Sequence, residues 1–218
     1  MLCPRRDLLN PGAAPAVLAQ PRHQNPSAQR FVQRPIADIA AQTNFVQINF
    51  MPTALEFEDS DLDPREREFL TEIRKYGWFN TRVFDPDQIE PDFSYSTGIF
   101  ESVGFPEIIV FSLPKQVSHD ILWDIYRDLA DGKSFASRTK IPGILGNHDA
   151  VLMPVAKSKY GEHLGWSQRF YRGDDFPCLQ LIWPDREGLF PWEAYFDQSF
   201  VDDQPDLSGI GWGNLKIE

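Results

Sequence analysis

His119 is the side chain whose placement most suggests chemistry. It falls in the first turns of a helix that Pro114 starts, in which Val117, Ile121, Leu122, Ile125 and Leu129 recur at helical spacing before Gly132 ends it. The helix dipole there disfavours imidazolium, and a neutral imidazole can serve as general base or metal ligand. With Glu107 and Asp185 as carboxylate partners, a small hydrolytic or metal-assisted site is one expectation. The alternative is an exposed histidine that bonds Asp120 or solvent. Other chemistry finds little support. His119, His148 and His163 lack the i, i+4 spacing of a helical zinc pair, and Cys3 and Cys178 are too few for a zinc knuckle or a disulfide framework. No G-x-S-x-G nucleophile turn occurs, and "SGIGWG" lacks the strand and helix of a phosphate loop. Neither a metal nor a cofactor is expected.

The stretch "QLIWPDREGLFPWE", residues 180–193, suggests recognition instead. Pro184 holds Trp183 extended and ends a strand, and "PDREG" suits a type I turn closing at a left-handed Gly188. Leu189 and Phe190 are expected to return as a short strand, with Trp183 and Trp192 bracketing the hairpin from one side. Exposed aromatics such as Trp192 and Trp78 are the expected anchors for a partner.

These residues need a scaffold, and its local signals are clear from Asp63 onward. "DPRE" sets Asp63 as N-cap, Pro64 at the first helical position and Glu66 to close a capping box, so a helix is predicted from Pro64 to Tyr76 with Gly77 as C-cap. "WFNTRVFD", "FSYSTGIF", "EIIVFSL", "DAVLMPV" and "CLQLIW" read as strands. "EIIVFSL" is apolar on both faces and is therefore central, whereas "FSYSTGIF" alternates. "ESVGFPE" supplies a turn between two of them. The fold class is α+β: a single domain with a largely antiparallel sheet of about five strands and two main helices.

Charge divides the chain. Residues 1–50 hold five arginines, no lysine and two acids, a net +3, which leaves −14 on the remainder of the −11 chain. So acidic a body repels phosphate backbones, and nucleic acid is not an expected partner; a basic protein or a small ligand is. No apolar run has the length of a membrane span, and the sparse cysteines suit a reducing, cytoplasmic setting. The Pro-, Ala-, Gln- and Arg-rich N-terminal stretch cannot bury enough surface to order itself, so residues 1–55 are expected as a disordered or non-native extension. Alternatives are an organellar transit peptide, a natural start at Met51, or a short strand near Phe45 to Phe50. The domain is placed at 56–204 and a tail at 205–218.

The order of segments "KYGW", "PDFSYSTGIFESVGFPEIIVFSLP", "SHDIL" and "LQLIWPDREGLFPW" resembles the bacterial family called domain of unknown function 4262 over roughly residues 60–200. Members look like Tyr-Gly-Trp, Phe-Ala-Tyr-Thr-Val-Gly-Leu, Gly-His-Pro-Glu-Leu, Gln-Leu-Val-Trp-Pro-Asp and Phe-Pro-Trp in that order. The resemblance implies one compact domain and brings no particular activity. It singles out Tyr95, Glu107, His119, Gln180 and Asp185 as polar residues in matching motifs. Phe105 stands where the family carries histidine, so an activity needing that histidine would be missing here; a packing or turn role for the position is the simpler expectation. The functional expectation is a non-enzymatic protein- or ligand-binding module, with Trp78, Tyr95, Gln180 and Trp192 as binding residues. The alternative is a small enzyme with a pocket around Tyr95, Glu107, His119 and Asp185.

Overall fold

Asp63 accepts hydrogen bonds from the backbone N–H of Arg65 and Glu66 at 2.8 and 2.9 Å, while the Glu66 carboxylate reaches back to the Asp63 N–H at 3.0 Å. This capping box opens α1 (Pro64–Tyr76), Gly77 closes it at φ 85°, and Phe69, Leu70 and Ile73 form its buried stripe. The helix is the one the sequence predicts. The computed structural model describes residues 52–58, 60, 62–87, 89–215 and 217. The expectations for residues 1–51, including the strand near Phe45 to Phe50, lie outside the described residues. From Thr53 the chain is packed, because Ala54 is buried in the core.

Six strands form one sheet in the order β1-β2-β3-β6-β5-β4. They are β1 (Phe79–Val83), β2 (Phe93–Thr97), β3 (Glu107–Phe111), β4 (Lys140–Leu145), β5 (His148–Pro154) and β6 (Cys178–Ile182). All pairs are antiparallel except β3–β6, which run parallel with Glu107 opposite Cys178 and Val110 opposite Leu181. The fold is α+β, as expected, with one strand more. The additional strand is β4, whose "KIPGIL" holds Pro142 and Gly143 and so carries little strand signal. The structure accommodates them at a sheet edge, where the register shifts between Ile141 and Leu145.

Alternation along the strands builds two core layers. Phe93, Tyr95, Ile109, Phe111 and Cys178 point to one face, under α1, α4 (Tyr160–His163) and α5 (Gly165–Tyr171). Ile108, Val110, Leu179, Leu181 and Trp183 point to the other, under α3 (Lys115–Ala130). Two expectations are corrected here. The turn "ESVGFPE" forms part of a short helix, α2 (Ile99–Val103), which Gly98 admits by leaving β2 at φ 105°. Trp183 and Trp192 do not share a side. Trp183 lies on the α3 face with its Nε1 donating to Phe111 O at 3.0 Å, whereas Trp192 stacks on Phe190 at 5.1 Å and meets Trp212 at a tilt at 5.8 Å on the opposite face.

Leu189 and Phe190 form no strand either, because side chains take their backbone donors. The Leu189 N–H goes to the Asp185 carboxylate and the Phe190 N–H to Glu193. The C-terminal tail is anchored on the sheet: Gln180 Nε2 donates to Pro205 O at 2.8 Å and Leu207 is buried. Gln204 exchanges two hydrogen bonds of 2.9 Å with the backbone of Trp183, a side-chain amide continuing the ladder where β6 stops. Among the described residues, no helix is long and apolar enough to cross a membrane.

Candidate functional site

β3 is covered on both faces, so an acid at its first position must be buried. Glu107 is 0% exposed. Its Oε2 accepts from Ser96 Oγ at 2.5 Å; its Oε1 accepts from Gly98 N at 2.8 Å, from Phe100 N at 3.1 Å and from the Tyr171 hydroxyl. Four donors converge on one carboxylate. Two of them are backbone groups at the start of α2, so Glu107 also does the work of a missing N-cap there. Burial raises its pKa above the ordinary value, opposed by the hydrogen bonds from Ser96, Tyr171, Phe100 and Gly98. Tyr171 is raised by burial and then by the facing carboxylate, and the buried Cys178 thiol by the same two causes.

The polar network continues along α5. Ser167 Oγ lies 2.7 Å from Thr97 Oγ1 and donates to Ser96 O at 3.3 Å, and the Tyr95 hydroxyl accepts from Trp166 N at 3.1 Å. Burial raises the Tyr95 pKa. These contacts fasten α5 to β2 and β3. Chemically, the cluster is a desolvated acid with three protein donors on Oε1 and one on Oε2.

The remaining candidates lie elsewhere. His119 projects from α3 with its side chain 48% exposed, 3.5 Å from Asp120 and with its ring 6.1 Å from that of Trp78. Trp78 is buried, and among the described residues its Nε1 has no hydrogen-bond partner. Asp185 follows the far end of β6, seven positions beyond the Cys178 that faces Glu107, a separation of roughly 20 Å at strand rise. It accepts from the N–H groups of Glu187 (3.0 Å), Leu189 (2.8 Å) and Asp197 (2.9 Å) and so organises the loop after β6. Gln180 is spent on the C-terminal tail, its Oε1 accepting from Leu207 N at 3.2 Å. Trp192 is half-buried in its stack. Tyr95 and Glu107 are both tied to α5, and His119 and Trp78 meet separately on the α3 side.

A different surface collects exposed apolar side chains. Tyr76, Val83, Phe84 and Ile89 fall at the two ends of β1, with Phe84 67% and Ile89 81% exposed. The loop carrying the last two is held by Asp85, whose carboxylate accepts from the N–H groups of Asp87 (3.0 Å), Ile89 (2.9 Å) and Glu90 (3.0 Å). Those bonds lower the Asp85 pKa and keep it anionic. In sequence, Asp85, Asp87 and Glu90 flank the two apolar side chains.

A family model described as Domain of unknown function (DUF4262) matches residues 72–197, more than half of the chain. The chain belongs to this family. The DUF4262 match encloses all six strands and every candidate residue above. Phe105 meets Phe135 edge-on at 6.2 Å and packs against the α3-side core. No curated protein and no solved structure matches the chain. Sequence reasoning missed Tyr171, Ser96, Ser167 and Thr97. An acid heading a strand apolar on both faces was the signal that buried donors had to exist.

Proposed function

We propose that this DUF4262 domain is a non-enzymatic protein-binding module that engages a basic partner through the Phe84–Glu90 loop and the adjoining β1 strand. The observation that carries it is the pairing of Phe84 and Ile89, both largely exposed, with the acids Asp85, Asp87 and Glu90 on a loop shaped by the Asp85 carboxylate. Apolar side chains held out in water supply contact energy, and an acidic rim supplies steering and partner choice. Of the candidates for chemistry, Tyr95, Glu107 and Asp185 are buried and committed to internal hydrogen bonds, while His119 stands apart from them, half-exposed on α3. A cytoplasmic setting, where the buried free thiol of Cys178 stays reduced, goes with this reading.

The test is affinity capture from host lysate with the full chain and with a Phe84→Ser, Ile89→Ser variant, at low and high salt. A stoichiometric basic partner that salt weakens and the variant loses supports the proposal. A partner held equally by the variant, or none captured by either protein, sinks it.

A further inference from the structure

The strand register carries one row of residues across the sheet. Val83 at the end of β1 lies opposite Phe93 at the start of β2, and Phe93 lies opposite Phe111 at the end of β3. Phe111 and Ile182 are each one step past the parallel pair Val110 and Leu181, so β6 ends at the same row. The loop after β1 and the loop after β6 therefore leave the sheet at the same end, three strand spacings or roughly 14 Å apart. Phe84 and Ile89 project from the first loop. The second projects a side chain more exposed than either, Tyr195, at 95%.

Tyr195 is exposed because its neighbours are committed elsewhere. Phe190 is buried with Val151 and Ile182 on one face of the sheet, and Phe196 with Trp183 and Phe200 on the other. The chain between them must change faces. Asp197 N donates to Asp185 Oδ2 at 2.9 Å, three residues past the last residue of β6, which places the crossing at the end of that strand. The other flank is fastened too: Glu193 N donates to Phe190 O at 2.8 Å, and Glu193 Oε1 pairs with Lys140 at 2.9 Å. Tyr195 itself has φ 72°, a left-handed conformation that is unfavourable for a residue with a Cβ and persists where the surroundings impose it. An aromatic side chain projected from fixed backbone has little freedom left to lose on binding, and tyrosine is among the residues that dominate interface energies.

We propose that Tyr195 is the third anchor of a single docking face that spans this end of the sheet with Phe84 and Ile89, and that its occupant is a folded basic protein. Charge selects the sign. Asp87, Glu90, Glu187 and Asp197 stand exposed on the two loops and Asp85 is half-exposed, with Lys115 and Arg186 as exposed bases beside them. Shape selects the kind of partner. Side chains that project from two loops insert into hollows of an opposing surface, whereas an extended peptide needs a groove or a strand edge to lie along. A second copy of this chain brings a net charge of −11 and is repelled. The inference rests on the proposed use of the Phe84–Glu90 loop and sets the breadth of that interface.

The experiment places the photo-crosslinking residue p-benzoylphenylalanine in the full chain at Phe84, at Tyr195 and, as a control, at Tyr76, which is exposed near the opposite end of β1. Each protein is irradiated in host lysate, the adducts are identified by peptide mass spectrometry, and the protein joined is purified and titrated against the chain. The expected result is one folded basic protein joined from Phe84 and from Tyr195 but not from Tyr76, with a Kd that rises at least ~10-fold on Tyr195→Ala. At 95% exposure Tyr195 can be truncated without unfolding the domain, and equal melting temperatures check this. A smaller rise in Kd overturns the proposal, as does an acidic or unstructured partner, a second copy of this chain, or equal joining from Tyr76. Adducts from Phe84 alone refute the Tyr195 anchor and leave the binding reading of the first loop standing. Adducts from Tyr195 alone, or from neither position, refute that binding reading as well.

Discussion

Glu107→Ala should be the most damaging single substitution at the polar cluster. It strips the acceptor from four buried donors: Ser96 Oγ–H, Gly98 N–H, Phe100 N–H and the Tyr171 hydroxyl. A buried donor left unsatisfied costs about 1–3 kcal/mol, so even the low end gives about 4 kcal/mol before any cavity is counted. Against a total stability of ~5–15 kcal/mol that is a large share, and for a domain of this size it lowers Tm by about 10 °C or more. Glu107→Gln keeps an Oε1 for three of the donors and can turn its amide toward Ser96, much as the protonated acid would. It should lose only about 1–2 kcal/mol. The two proteins also differ with pH. Burial raises the Glu107 pKa above its ordinary 4.5, so the folded state holds the proton more tightly than the unfolded chain does. The stability this contributes is complete below 4.5 and is lost as pH rises through the folded value. Wild type should therefore lose ground to the glutamine variant as pH climbs from acid to neutral. Urea unfolding of all three proteins across that range is the assay. An alanine variant within ~1 kcal/mol of wild type would refute the claim that this carboxylate is what satisfies the cluster.

Two further substitutions probe the loop after β6. Asp185→Ala should cost about 2–4 kcal/mol by orphaning the N–H groups of Glu187, Leu189 and Asp197, whereas Asp185→Asn, which keeps an acceptor oxygen, should cost about half as much; thermal melts of the pair separate hydrogen bonding from charge. Gly188 sits at φ 84° with open space where a Cβ would lie, so Gly188→Val should cost about 1–2 kcal/mol through backbone strain alone and Gly188→Asn much less. Equal melting temperatures for valine and asparagine at this position would contradict the left-handed turn.

What the sequence disclosed was what neighbours in the chain decide. The cap at Asp63, the stop at Gly77, the central place of β3 and the turn at Gly188 each depend on a few adjacent residues. β4 stayed hidden because Pro142 and Gly143 erase a strand signal that the sheet edge tolerates. α5 stayed hidden because seven residues beginning with Gly165 carry too little periodicity. The candidate site was less legible still. Tyr171 reaches Glu107 across 64 positions of sequence, and no local pattern announces such a partner. Asp185 illustrates the converse: its motif is conspicuous, and its carboxylate is wholly engaged in shaping its own loop.

The lone parallel pairing of β3 with β6 joins the two halves of the sheet across the longest stretch of sequence. β1, β2 and β3 join in sequence as neighbouring antiparallel strands, as do β4, β5 and β6, although α4 and α5 lie in the connection from β5 to β6. The seam between them brings residue 107 to residue 178, and of all the strand pairings it carries the largest loop-closure entropy. Glu107 lies on that seam, with Ser96 from one half and Tyr171 from the other. Its carboxylate has its full set of donors only when the two halves meet, so closing the seam is also what satisfies Glu107.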